Sequence, residues 1–138
     1  MVTNKNGHSS LLKVCLTFKI VSILRFKFYF LFSNFFHPGP LTKTFHDFWR
    51  CVWHNKTIVI VMTTRTVERC RAKCDQYWPL DEKTYCQIGP FCIINNSVEQ
   101  NPDWAISNLT LVNTETNEKR PVVHMLFTSW PDFGKFFF

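Results

Sequence analysis

The sequence lacks any long uncharged apolar run, although 46% of its 138 residues are hydrophobic. Its most apolar stretch, 11–36, is interrupted by Lys13, Lys19, Arg25 and Lys27, and the longest uncharged run within it, 28–36, has nine residues. A helix needs about 20 apolar residues to cross a bilayer, so no membrane-spanning helix is predicted there. A membrane-surface segment with snorkelling basic side chains is the alternative. It is not favoured, because the apolar residues follow no period of 2 or 3.6.

Acidic side chains are missing from residues 1–40, which carry five basic ones, whereas residues 41–138 carry 11 basic and 10 acidic side chains. The net charge of +6 therefore belongs almost entirely to the N-terminal segment, and the rest of the chain is nearly neutral. Binding to nucleic acid requires basic residues that cluster on the folded part of a protein. We therefore expect no nucleic-acid partner.

A secretory signal is also missing, because no charged segment followed by an uninterrupted apolar core and a small-residue cleavage site begins the sequence. We therefore expect the six cysteines to be reduced thiols and the protein to be cytoplasmic. The Asn-x-Ser/Thr sites at Asn55, Asn95 and Asn108 are then not glycosylated. The spacing of Cys70 and Cys74 is loose for zinc and no Cys/His pair completes it, so we expect no metal and no cofactor.

The composition divides the chain into three parts. Residues 1–37 and 135–138 crowd Phe, Lys, Leu, Ile, Asn and Ser together without a period, as translated A/T-rich noncoding sequence would. We expect 1–37 to be a leader outside the domain and 135–138 to be a non-native tail. Residues 38–134 are then the domain, and a chain of this length has room for only one.

The domain begins with a helix and a strand. Six apolar residues recur with helical spacing on one stripe: Leu41, Phe45, Phe48, Trp49, Val52 and Trp53. The run 57–62 is β-branched and continuous, which is typical of a strand buried on both faces of a sheet, and we expect it to be the central strand.

Three further strands are predicted at 84–95, 104–113 and 119–127. Gly89-Pro90 breaks the first of them, and a turn at 113–118 separates the last two. The order of these elements indicates an α/β (α+β) fold with a partial mixed, largely antiparallel sheet and one flanking helix.

The motif Trp130-Pro131-Asp132-Phe133-Gly134 is the strongest candidate for chemistry. Proline fixes the backbone on one side of Asp132 and Gly134 permits large backbone excursions on the other, so the loop could bring a carboxyl group over a bound substrate. The alternative is a simple turn, because Pro-Asp followed by glycine is common where a chain reverses direction.

Four segments occur in a fixed order with Glu68, Arg71, Arg120 and His124 between them: Thr44-Phe45-His46-Asp47-Phe48-Trp49-Arg50-Cys51-Val52-Trp53, Ile60-Val61-Met62-Thr63, Lys73-Cys74-Asp75-Gln76-Tyr77-Trp78-Pro79 and Thr128-Ser129-Trp130-Pro131-Asp132-Phe133-Gly134. Over about 39–134 the chain resembles the classical protein tyrosine phosphatase domain. It also looks like the phosphatases carried by the polydnaviruses of parasitoid wasps, which would place it in the cytoplasm of a host cell.

The resemblance implies a role for each candidate site residue. Asp132 would be the general acid, on a loop formed with Trp130, Pro131 and Gly134. Lys73 would contact this aspartate, and Glu68 would brace the arginine of the phosphate-binding loop. Phosphotyrosine proteins would be the partners.

The family's thiolate loop is missing from the sequence. Hydrolysis by this route requires a thiolate nucleophile and a cradle of N–H groups with an arginine, which the family supplies as His-Cys-x5-Arg. Arginine stands six residues after none of the six cysteines. The resemblance therefore implies a tyrosine phosphatase fragment with an incomplete fold that is catalytically inactive as it stands.

Two other functions remain open: a pseudophosphatase-type binding module for phosphotyrosine proteins, and a membrane-surface protein that uses residues 11–36. We further expect that the fragment leaves apolar faces of its sheet uncovered. Self-association or aggregation would follow from such faces.

Several other residues have structural interpretations. His124 lies in an alternating apolar strand and is expected to be a structural histidine, and Cys86 and Cys92 are expected to be core thiols on one strand face. The basic run of Arg65, Arg69, Arg71 and Lys73 is expected to be a solvated face, with a face towards a phosphopeptide as the alternative. The tryptophans expected in the core are Trp49, Trp53, Trp78 and Trp104.

Overall fold

The computed structural model describes residues 14–17, 35–37, 39–63, 65–68, 71–72 and 74–129. One α-helix and nine strands lie in this part of the chain, in the following order: β1 (Val14–Thr17), β2 (Phe35–His37), α1 (Phe45–His54), β3 (Val59–Met62), β4 (Val67–Glu68), β5 (Arg71–Ala72), β6 (Tyr85–Ile88), β7 (Phe91–Gln100), β8 (Trp104–Asn113) and β9 (Glu118–Phe127). Among these residues no helix has the length and apolarity that a membrane crossing requires.

The predicted helix is confirmed, but it begins at Phe45 rather than at Leu41. A 3-10 turn, Thr42–Thr44, precedes it, and the Thr44 side chain bonds back to the backbone of Leu41, whose own side chain is exposed. A short polar side chain that bonds its own backbone in this way competes with the start of a helix. The buried stripe of α1 is therefore Phe48, Trp49, Val52 and Trp53.

The main sheet is mixed, as predicted, with seven strands in the order β2-β1-β3-β9-β8-β7-β6. The pairs that join β2, β1, β3 and β9 are parallel, and those that join β9, β8, β7 and β6 are antiparallel. A two-stranded antiparallel ladder of β4 and β5 stands apart from it. The β7–β8–β9 meander and its neighbour β3 therefore form the central part of the main sheet.

Strand β3 departs from its prediction in two ways. It lies between β1 and β9, so β9 and not β3 occupies the middle of the seven strands. Its side chains alternate, with Ile60 and Met62 buried and Val59 and Val61 half-buried. The prediction of burial on both faces is therefore wrong, and a continuous apolar run did not distinguish the two cases.

The predicted break at Gly89-Pro90 and the predicted turn before β9 are confirmed. Gly89 and Pro90 separate β6 from β7, and Gly89 has φ +56°, a conformation that side chains disfavour. A Cβ at this position would also lie 2.7 Å from Cδ2 of His46, so a larger residue here would be strained and would have to displace the His46 ring. Because Cys86 is opposite Ile93 and Cys92 is opposite Gln87, the two thiols lie on different faces of the hairpin, which corrects the prediction of a shared face.

The hydrophobic core lies between α1 and one face of the sheet. Trp49, Trp53 and Trp78 are buried in it, whereas Trp104 is only half-buried, at the start of β8. The strands contribute alternate residues to this face: Ile60, Met62, Phe91, Ile93, Leu109, Leu111 and Val122. The alternation explains why each of these strands shows period 2.

Arg120 joins the end of α1 to β9. Its guanidinium lies 3.8 Å from the ring centroid of Trp53, and its Nη1 donates a hydrogen bond of 2.8 Å to the Trp53 carbonyl, where the helix ends. Glu118 Oε2 lies 3.5 Å from the same guanidinium. A cation at a helix C-terminus and over an indole face is stabilising on both counts.

Two strands come from residues 1–37, the segment predicted to lie outside the domain. β1 pairs in parallel with β3, with Val14 opposite Val59, and β2 pairs in parallel with β1. The division of the chain at residue 37 stays a prediction, and any test of it has to account for this pairing.

Candidate functional site

The parallel pair of β3 and β9 decides which loops meet. Val59 is opposite Val123 and Met62 is opposite Leu126, so both strands run in the same direction and end at the same edge of the sheet. In sheets of this kind the segments that follow the carboxyl ends of neighbouring strands form the ligand site. Here these segments are 63–75, which follows β3, and 128–134, which follows β9. They contain all six predicted site residues.

The structure places one of these six residues in part. Glu68 ends β4 and is opposite Arg71 in the β4–β5 ladder, while its side chain is outside the described part of the chain. Five others lie outside the described residues: Lys73, Trp130, Pro131, Asp132 and Gly134. Their roles therefore stay predictions. The structure describes the ends of β3 and β9, from which the segments that carry these residues start.

Arg65 connects the two segments. Its Nε and Nη2 atoms donate hydrogen bonds of 2.8 and 2.5 Å to the carbonyl oxygen of Thr128, two residues before Trp130. Arg65 belongs to the run predicted to be a solvated basic face, and its side chain is indeed exposed. The contact spans 63 positions of sequence, so no local pattern indicated it.

The turn between β7 and β8 also forms hydrogen bonds with Thr128, and with its neighbour Ser129. The backbone N–H groups of Thr128 and Ser129 donate to the carbonyl of Asp103, at 2.8 and 3.3 Å. The Thr128 hydroxyl donates to the Pro102 carbonyl at 3.1 Å, and the Ser129 hydroxyl donates to Oδ1 of Asp103 at 2.6 Å. Asp103 was not a candidate in the sequence, because Asn-Pro-Asp is an ordinary turn composition.

A buried aromatic cluster surrounds His124, which lies three residues before the end of β9. His124 on β9 is stacked on Trp78 with ring centroids 4.1 Å apart, and its Nε2 shares a hydrogen bond of 2.8 Å with the Tyr77 hydroxyl. Burial lowers the pKa of His124 to about 3, so its ring is neutral. The prediction of a structural histidine is confirmed, because a ring enclosed in this way does not reach a substrate.

Residues 74–76 are tied to the entry of α1. The Thr42 N–H and hydroxyl donate to Oδ2 of Asp75 at 2.6 and 2.8 Å, and these bonds lower the pKa of that carboxyl. The Cys74 thiol donates to the Pro40 carbonyl at 3.4 Å. The loop that carries Lys73 is therefore held at its far end by the segment before the helix.

Two of the described thiols, Cys74 and Cys86, are poor nucleophiles. Burial and the neighbouring Asp75 raise the pKa of Cys74 to about 12, and burial and Cys92 raise the pKa of Cys86. A reactive cysteine needs the opposite, a pKa lowered by a positive environment. Neither thiol has the environment that phosphoryl transfer would require.

Comparison with known proteins agrees with this arrangement. Residues 35–135 match the family model described as protein-tyrosine phosphatase. Tyrosine-protein phosphatase non-receptor type 9 of Rattus norvegicus is 47% identical over 96 residues, which are 70% of this chain and 16% of that protein. Receptor-type tyrosine-protein phosphatases eta and C of Homo sapiens are 41% and 43% identical over 96 and 97 residues, in each case 70% of this chain and 7% of the relative.

The match extends over α1, over every strand of the main sheet except β1, and over the segment after β9. The chain spans less than a fifth of the length of each of these relatives. A family model that covers most of the chain, together with identities above 40%, leaves one conclusion: the chain belongs to the protein tyrosine phosphatase family.

Proposed function

We propose that residues 39–134 supply the general-acid part of a site that hydrolyses phosphotyrosine in proteins, with Asp132 as the acid. The observation that carries this proposal is the common edge of β3 and β9, from which the segments with Lys73 and with Asp132 both begin. The Arg65–Thr128 contact supports it, because the two segments touch before either candidate side chain is reached.

The chemistry assigns the acid a definite step. When a nucleophile attacks phosphorus, the bond between phosphorus and the tyrosine oxygen breaks, and the electron pair stays on the phenolate. The protonated carboxyl of Asp132 gives its proton to this oxygen, so that tyrosine leaves as the neutral phenol. Such a proton transfer is worth typically about 10²- to 10⁴-fold in rate.

The attacking group is the part that these 138 residues do not contain. No cysteine is followed six residues later by arginine, and the described thiols Cys74 and Cys86 have raised pKa values. We therefore propose that this polypeptide alone does not turn over phosphotyrosine. In a longer protein that includes a His-Cys-x5-Arg loop, the same residues would act as the acid part of a working enzyme.

A chimera tests the role of Asp132. The chain is continued after Gly134 with the sequence that follows the corresponding loop in the rat non-receptor type 9 relative, and the product is assayed on two substrates. On a phosphotyrosine peptide, Asp132→Asn should lower kcat by about 10²- to 10⁴-fold. On an aryl phosphate whose phenol is already a good leaving group the loss should be much smaller, because that oxygen needs no proton.

The matched control in the chimera is Asp81→Asn, which removes an exposed carboxylate from the turn before β6 and should leave both rates near those of the parent. Equal losses on the two substrates in Asp132→Asn would reject the assignment, since a residue that only supports the fold does not distinguish leaving groups.

The substrate class and the location complete the proposal. Phosphotyrosine proteins are the substrates that the family membership favours, and the cytoplasm is the location that reduced cysteines favour. A viral origin, with action in a host cell, is the narrower form of the same proposal. Phosphotyrosine binding without turnover is not preferred, because no observation on the described residues favours it.

A further inference from the structure

We propose that Arg65, Asp103 and Ser129 form a clasp that fixes the point at which the acid-bearing segment leaves β9, and that they are thereby positioning residues for Asp132. The inference rests on the proposed function in one respect only, the role of Asp132. The clasp itself is a matter of hydrogen bonds on the described residues, and it can be tested without turnover.

The sheet stops supporting the chain just before the motif. The last pair of the β8–β9 ladder joins Trp104 to Phe127, so Thr128 and Ser129 have no strand partner in that ladder. These two residues separate the sheet from Trp130. The position of the motif therefore depends on what holds Thr128 and Ser129.

Among the described residues, six hydrogen bonds hold Thr128 and Ser129. Two come from the Arg65 guanidinium to the Thr128 carbonyl, and two join the N–H groups of Thr128 and Ser129 to the Asp103 carbonyl. The last two use the side-chain hydroxyls, from Thr128 to the Pro102 carbonyl and from Ser129 to the Asp103 carboxylate. The backbone of Thr128 is bonded through both its N–H and its C=O, which leaves this residue little freedom to rotate.

The clasp joins three distant parts of the chain. Arg65 belongs to the segment after β3, and Asp103 belongs to the turn between β7 and β8. Bonds in which one partner is charged are shorter and stronger than neutral ones, and three of the six have a guanidinium donor or a carboxylate acceptor. A displacement of the β3 segment at Arg65 would therefore be transmitted to Thr128.

The test uses amide hydrogen exchange on the complete chain labelled with ¹⁵N. Asp103→Ala removes the bond to the Ser129 hydroxyl and keeps the Asp103 carbonyl, while Arg65→Ala removes both bonds to Thr128. In each variant the amides of Thr128 and Ser129 should exchange about five- to tenfold faster, the change expected for losing one or two net hydrogen bonds. Asp103→Asn keeps an Oδ1 acceptor and should restore slow exchange.

A second readout reports on the motif itself. The chain is labelled with 5-fluorotryptophan, and the ¹⁹F resonance of Trp130 is assigned by its disappearance in Trp130→Phe. This resonance should move in Asp103→Ala and in Ser129→Ala, and it should return to the parent position in Asp103→Asn. Matched controls are Glu115→Ala and Arg50→Ala, which remove exposed charges of the same two kinds elsewhere and should leave both readouts unchanged.

Three results would overturn the clasp. The alanine variants could exchange at the parent rate, or Asp103→Asn could behave as Asp103→Ala does, or the amides of β3 and α1 could accelerate as much as those of Thr128 and Ser129. The last would mean general destabilisation. Failure of the clasp is distinct from failure of the proposed acid, since Asp132→Asn tests the acid by its leaving-group dependence and the clasp variants are read without substrate.

Discussion

The buried ring of His124 should make the stability of this chain fall as the pH is lowered from 7 to 5. Its pKa is lowered to about 3 by burial, whereas in the unfolded chain it has the ordinary value of about 6.5. Below pH 6.5 the unfolded chain therefore binds a proton that the folded chain does not. Because the unfolded state binds more protons in this window, stability is present above pH 6.5 and is lost as the pH falls towards 3.

The size of the effect follows from the same two values. Each pH unit between 6.5 and 3 is worth about 1.4 kcal/mol, so about 2 kcal/mol of unfolding free energy should be lost by pH 5. An ordinary domain has about 5–15 kcal/mol in total. The loss is therefore large enough to measure before most carboxylates begin to titrate.

Urea unfolding followed by tryptophan fluorescence at several pH values between 7.5 and 5 measures it. The comparison is with His124→Gln, which cannot be charged but still offers a polar group to the Tyr77 hydroxyl. This variant loses the stacking on Trp78 and should be less stable throughout, yet its free energy of unfolding should depend less on pH, by about 1.4 kcal/mol per unit near pH 5.5. Equal pH dependence in the two proteins would refute the reasoning.

Four further predictions follow from the sequence and the described contacts. The 138-residue chain should not hydrolyse a phosphotyrosine peptide above the buffer rate, and turnover that disappears in Asp132→Ala would contradict this. Gly89→Ala should lower the free energy of unfolding by about 1–2 kcal/mol in urea melts, because φ is +56° and a Cβ would meet the His46 ring; adding His46→Ala should recover part of the loss, and no recovery would exclude the clash. Arg120→Lys should lower the free energy of unfolding by about 1 kcal/mol, since a lysine does not reproduce both the contact over Trp53 and the bond to its carbonyl. An unchanged urea melt would mean that neither contact stabilises the fold. Finally, Val59, Val123 and Met125 are half-buried apolar residues on the face away from α1. Because such a face favours association, sedimentation of the protein should show association that grows with concentration. The prediction would be contradicted if residues 38–138 were monomeric and unfolded in one cooperative transition above about 55 °C.

The local elements of the fold could be predicted from the sequence. The stripe of Phe48, Trp49, Val52 and Trp53 is a repeat within a few residues, and so is the alternation along the strands of the meander. The turns at Gly89-Pro90 and 113–118 were marked by their own residues. Such signals act over one or two turns of chain, and local sterics and burial suffice to produce them.

The candidate site was reached by a different route. Asp132, Lys73 and Glu68 are predicted through resemblance to a family; the structure places the backbone of Glu68 in β4, whereas Asp132 and Lys73 lie outside the described residues. The motif supplied a carboxyl group between proline and glycine, but nothing in its composition indicated that Arg65 and Asp103 would hold the residues before it. Neither residue belongs to a repeat or a motif of its own.

Tertiary structure alone decided which distant segments meet. That β9 lies beside β3 and runs parallel to it brings residues about 60 positions apart to one edge, and the burial of β3 on a single face depends on which elements cover it. The bond from Arg65 to Thr128 exists only because those two strands are neighbours. Period and propensity are properties of neighbouring residues, whereas strand order and contacts between loops are chosen by the packing of the whole chain, which no window of sequence contains.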